Sequence, residues 1–160
     1  MDQNWETQLQ RIWLQFGKIS SEDFNQQIKN HVELLTEKDS RAIGDFERAC
    51  AFDSTGYEME AEPLYRSALE NGLTGLRRRR ARIQLASTLR NNGKIEESIQ
   101  ILREEKAHYS DELNDAVDSF LALSLSSAGK HKEALSLALK ALSKHLPRYN
   151  TSLSRYAENL

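Results

Sequence analysis

The sequence predicts an all-α protein built as a stack of helical hairpins, and three observations carry that reading. Only seven Gly and two Pro serve 160 residues, while the helix formers Leu, Ala, Glu, Lys and Arg abound. Apolar residues recur three and four positions apart along most of the chain. Similar residues also return at a period of about 36, as expected of helix–turn–helix units that can bury their apolar faces only against one another.

The elements follow in order. Trp5, Leu9, Ile12, Trp13 and Phe16 share one helical face, and Gly17-Lys18 closes that helix. Ser20 or Ser21 can cap the next helix, with Glu22 and Asp23 at the positive end of its dipole. Phe24, Ile28, Val32 and Leu35 form its apolar face. Residues 1–38 therefore read as an N-terminal helical hairpin, and 39–160 as a repeat domain ending in a capping helix.

The repeat is anchored on Gly56, Gly93 and Gly129, which lie 37 and 36 residues apart. Four residues before them stand Phe52, Leu89 and Leu125, and seven before them Ala49, Ala86 and Ala122. Five after them stand Ala61, Ser98 and Ala134; nine after, Tyr65, Leu102 and Ala138; twelve after, Ala68, Glu105 and Ala141. Glycine accepts the left-handed conformation that ends a helix and turns the chain back. Small residues let paired helices approach, and larger apolar ones fill the space a turn away. The expected pairs span about 40–54 with 57–71, 77–92 with 94–107, and 113–128 with 130–145. Pro147 ends the last pair, and Tyr149, Leu153 and Tyr156 mark the capping helix. Pro63 falls inside the second helix of the first pair, where a kink or a delayed start is expected.

These residues resemble the tetratricopeptide repeat, best in the stretch from Ile83 through Gly93 to Ile99. Phe46-Glu47-Arg48-Ala49, Asp53-Ser54-Thr55-Gly56 and Leu146-Pro147-Arg148-Tyr149 are similar to a small bacterial family built from about three such repeats. The resemblance covers residues 41–157. It implies an α-solenoid of about three hairpins, protein-interaction work and homodimerisation. Glu105, where a small residue is usual, departs from the pattern, as do Leu73 and Ser110 where a repeat would end in proline.

In such repeats the first helices line a concave groove that holds a protein or peptide. By resemblance that surface here includes Glu47, Cys50, Asp53, Arg80, Gln84, Ser87, Arg90, Asn91, Phe120, Leu123 and Ser127. Gln84, Arg90 and Asn91 have the donors and acceptors to engage a peptide backbone or a carboxylate. The carboxylate clamp of one subclass is absent, because its positions carry Phe46, Cys50, Gln84, Ala116 and Phe120. Trp5, Trp13 and Phe16 complete the stack or anchor self-association, and the structural alternative is a self-association module whose groove is filled by its own N-terminal hairpin.

Arg77, Arg78, Arg79, Arg80 and Arg82 are the strongest charge feature. They could attract phosphates, giving a nucleic-acid alternative, but Glu58, Glu60 and Glu62 can answer them. The formal net charge of −2, from 22 basic and 24 acidic residues, argues against that alternative. The single cysteine, Cys50, excludes an internal disulfide. His31, His108, His131 and His145 are scattered, no phosphate-binding glycine loop exists, and no nucleophile–base motif is present. The expectation is a cytoplasmic, non-catalytic protein with no cofactor, no metal and no membrane span.

Overall fold

The computed structural model describes residues 3–36 and 40–160. These form nine α-helices and no strand: α1 (Gln3–Trp13), α2 (Ser21–Val32), α3 (Ser40–Ser54), α4 (Glu58–Glu70), α5 (Gly75–Asn91), α6 (Ile95–His108), α7 (Asn114–Ser127), α8 (His131–Ser143) and α9 (Asn150–Glu158). The helices of the three repeats start and end within two residues of the positions the sequence gives for them. The fold is the all-α hairpin architecture that the periodicity implies.

The three repeat turns are closed by the same hydrogen bonds. Gly56, Gly93 and Gly129 have φ of +83°, +80° and +77°. The following residues, Tyr57, Lys94 and Lys130, donate backbone N–H bonds of 2.9, 2.8 and 2.9 Å to Phe52, Leu89 and Leu125. Those carbonyls belong to the positions four before each glycine, so the sequence repeat is also a repeat of helix-closing geometry. A β-carbon would meet nothing within 4 Å at any of the three glycines. Conformation, not space, selects glycine there.

The contacts divide the chain into two compact units, Met1–Ala81 and Arg82–Leu160. The N-terminal hairpin α1–α2 belongs to the same unit as α3 and α4 rather than standing apart. Its helices are joined reciprocally. Trp5 Nε1 donates to the His31 carbonyl at 3.1 Å, and His31 Nε2 lies 3.0 Å from the Trp5 carbonyl. A carbonyl can only accept, so the ring proton sits on Nε2. The two rings stack with centroids 4.8 Å apart. Around them Leu9, Phe24, Ile28 and Val32 are buried with Ala51 of α3. Each such large apolar side chain contributes about 1.5–3 kcal/mol when fully buried.

Ser20 caps α2: its hydroxyl accepts from the Asp23 N–H at 3.1 Å. The helix α4 begins at Glu58 despite Pro63, so there is no delayed start. Pro63 is exposed, as is Met59, whose carbonyl would otherwise take the missing N–H bond. Between α3 and α4, Phe46, Ala49, Ala61, Tyr65 and Ala68 are all completely buried.

In the second unit, Ser98 and Ala86 hold the small-residue positions of one repeat. The Ser98 hydroxyl donates to the Ala86 carbonyl at 2.6 Å and lies 2.8 Å from Ser124 Oγ. A side-chain bond to the backbone of the paired helix is possible only because both residues are small. In the third repeat one corresponding position is not covered. Ala138 is exposed, whereas its counterpart Leu102 in the second repeat is buried. Residues 150–158 do form the final helix, α9, which packs on α8.

Candidate functional site

The positions that the sequence assigns to a binding surface fall into two groups, one in each unit. In the first unit they are α3 residues and Arg80. Glu47 is buried, and its Oε1 accepts from Arg77 Nε at 2.9 Å. It is a structural carboxylate, closed to any ligand, and this corrects its place in the expected groove. Burial raises its pKa above the ordinary glutamate value, and the Arg77 hydrogen bond works against that rise. Cys50 is buried too. Asp53 is half-buried and accepts from the Tyr65 hydroxyl at 3.2 Å. Burial first, then Cys50 and Asp53, pushes the Tyr65 phenol far up, so it stays protonated and donating. Arg80 is exposed, and its guanidinium sits 5.3 Å from the centre of the Phe46 ring.

In the second unit the assigned residues are more open. Gln84, Ser87 and Arg90 are half-buried along α5, and Asn91 is exposed at its end. Arg90 donates to Asn91 Oδ1 at 2.9 Å, while its Nε is buried without an acceptor among the described residues. On α7, Phe120 is half-buried, and Leu123 and Ser127 are exposed. Leu123 keeps 47% of its surface in water. The Ser127 hydroxyl turns back to the Leu123 carbonyl at 3.1 Å.

The arginine run is largely absorbed into the fold. Arg77 binds Glu47 through Nε and both oxygens of Glu6 through Nη2, at 2.9 and 2.8 Å. Arg79 is buried. Arg82 donates to Glu105 Oε1 at 2.9 Å and to Glu104 Oε2 at 2.6 Å. The sequence points to Glu58, Glu60 and Glu62 as partners, but Arg77 and Arg82 take theirs from α1, α3 and α6. These pairings join residues 22 to 71 positions apart, a separation for which the sequence gives no local signal.

The three aromatic residues assigned to self-association part company. Trp5 is a core residue, buried at 7% exposure and hydrogen-bonded, so it cannot anchor an interface; the apolar stripe does not reveal which side of a helix will be covered. Trp13 is half-buried with its ring 5.1 Å from that of Phe24. Phe16 stays 45% exposed beside the exposed Leu14.

Among the described residues no group of three or more His, Cys, Asp or Glu could hold a metal ion. No described helix is long and apolar enough to cross a membrane. A family model described as tetratrico peptide repeat matches residues 42–160. No curated protein and no solved structure matches the chain. The match begins within α3 and covers all three glycine-closed hairpins and α9. The chain therefore belongs to the tetratrico peptide repeat family.

Proposed function

We propose that this protein is a non-catalytic adaptor that binds a protein or peptide partner through the first helices of its repeats. Repeats of this family generally mediate protein–protein interaction. The observation that carries the reading is the mixed surface of the second unit: Gln84, Arg90 and Asn91 supply polar groups on α5, while Phe120 and Leu123 supply apolar area on α7. The Nε–H of Arg90 has no acceptor among the described residues. An extended peptide needs such a combination of main-chain hydrogen bonding and apolar pockets. In the first unit Arg80 and Asp53 are candidate contacts of their own, and Glu47 drops out.

The test compares wild type with a Gln84→Ala/Arg90→Glu double variant as baits in a nuclease-treated lysate, read by quantitative mass spectrometry. A partner held by wild type and depleted at least tenfold from the variant, with the far-ultraviolet circular dichroism unchanged, is the expected result. Equal capture by both removes these residues from the binding surface.

The same reading includes a homodimer, for which the support is the exposed pair Leu14 and Phe16 at the end of α1. Leu14→Glu/Phe16→Glu should halve the mass measured by light scattering while the fold persists. Nucleic acid is a poorer reading, because Arg77 and Arg82 are already neutralised by carboxylates. The proposed compartment is the cytoplasm.

A further inference from the structure

The first unit holds a pocket of about 390 Å³ that none of the groove positions lines. Its walls are Glu22, Asn25, Gln26 and Lys29 of α2 and Arg48, Ala51 and Phe52 of α3, with Tyr57 at one end. The volume suits two or three residues of a ligand. Asn25 reaches Thr55 and Tyr57 reaches Glu22, so the two helices run antiparallel along it. That direction sets Lys29 and Arg48 at one end and Glu22 with Tyr57 at the other. Glu22 and Lys29 are seven residues apart on one helix, about 10 Å at 1.5 Å per residue.

The two ends differ chemically. The Tyr57 hydroxyl donates to Glu22 at 3.2 Å. Lys29 and Arg48 have no ion-pair or hydrogen-bond partner among the described residues, and Arg48 is half-buried. Between the ends, Asn25 Oδ1 is buried without a hydrogen-bond donor among the described residues. Its orientation is fixed by chemistry. The Thr55 hydroxyl proton is committed to the Ala51 carbonyl at 2.8 Å, so Thr55 can only accept from the Asn25 amide, at 3.0 Å. Phe52 and Ala51 add an apolar wall.

We propose that this pocket binds a carboxylate-bearing segment of a partner polypeptide. The carboxylate is received by Arg48 and Lys29, a backbone N–H of the segment approaches the Asn25 amide, and an apolar side chain rests on Phe52. Charge favours a carboxylate over a phosphate. Lys29, Arg48 and Glu22 sum to +1, which one carboxylate neutralises, while a phosphate group carries about −1.5 to −2 and would meet Glu22 on the same wall. A phosphate at that charge also brings no N–H for Asn25. This site is independent of the groove proposed above.

The experiment titrates the full-length ¹⁵N-labelled protein with three tripeptides and with inorganic phosphate. The peptides are acetyl-alanyl-leucyl-alanine with a free carboxylate, its C-terminal amide, and acetyl-alanyl-leucyl-glutamate amide. The first and third separate a chain terminus from an acidic side chain as the source of the carboxylate. Saturable shifts of the Asn25 side-chain amide and of residues 48–52, with either carboxylate peptide and with neither the neutral amide nor phosphate, are expected. Arg48→Gln should weaken that binding at least tenfold, and Glu22→Gln, a folding control on the same wall, should not weaken it. Equal shifts with the neutral amide, tighter binding of phosphate, no binding by any peptide, or wild-type affinity in Arg48→Gln would each overturn the assignment. The Gln84→Ala/Arg90→Glu variant should bind these peptides like wild type, so failure here and failure of the groove remain separate results.

Discussion

Each unit has a buried glutamate that an arginine of α5 answers, yet the two arrangements hold different things together. Arg77 joins buried Glu47 to the more exposed Glu6, and Arg82 joins buried Glu105 to the more exposed Glu104. In the second case both carboxylates are neighbours on α6, so the bond ties one hairpin to itself. In the first, Glu6 comes from α1, 71 residues from Arg77. That pair ties the N-terminal hairpin to α5, while the shared core of Trp5, Leu9, Phe24, Ile28 and Ala51 ties it to α3 of the first repeat. The same fork of charges is repeat-internal in one unit and connects different elements in the other.

The strongest way to break the comparison is to remove Arg82. Glu105 has no exposure at all, and breaking a buried ion pair by removing one side costs about 3–5 kcal/mol. Urea denaturation of Arg82→Ala should show that loss as a lower midpoint. The counterparts of Glu105 are Ala68 and Ala141, both buried. Replacing the pair together, as Arg82→Leu/Glu105→Ala, should therefore recover most of the loss. A double variant no better than Arg82→Ala would mean that the second hairpin requires this charge pair where its neighbours pack alanine.

Arg77→Ala should rank next, because Glu47 keeps slight exposure and Arg80 lies near enough to lower its pKa as well. Here pH sharpens the contrast. Burial raises the native pKa of Glu47 above the unfolded value, so its contribution to stability is fullest below that value and is lost as pH climbs through the native one. Removing Arg77 takes away the main lowering influence and moves the native pKa further up. The cost of Arg77→Ala, measured by urea denaturation, should then be larger at pH 7.5 than at pH 5. An equal cost at both values would show that Glu47 gains water when its partner leaves.

These pairs also mark how far the sequence could be read. The hairpin closures were legible because each depends on one residue: a glycine with φ near +80° is needed wherever the helix ends in that turn. Glu105 stood out as a departure from Ala68 and Ala141, but its partner did not. Whether Arg82 faces α6 depends on the rotation of α5, and four other arginines within six residues compete for the role. Trp5 was ambiguous for a related reason. Periodicity shows that a face is apolar without showing whether its cover comes from the same chain, and here His31 and Phe24 supply it. The pocket beside Asn25 was invisible, because it requires α2 and α3 to meet antiparallel in one register.

The smallest expected effect tests the connecting role most directly. Glu6 is a third exposed, and such a pair is worth about 0.2–1 kcal/mol. Glu6→Gln should leave the global unfolding midpoint nearly unchanged, because Trp5, Leu9 and the His31 bonds still hold α1 down. The loss should appear locally, as faster amide hydrogen exchange across α1 with exchange in α3 and α4 unaltered. Glu104→Gln is the matched comparison. Glu104 shares α6 with Glu105, so no separate element loosens when it goes, and exchange should be unchanged throughout the second hairpin. If Glu104→Gln accelerates exchange as much as Glu6→Gln, the contrast between the two forks fails, and Glu6 is then a surface charge that happens to lie within reach of Arg77.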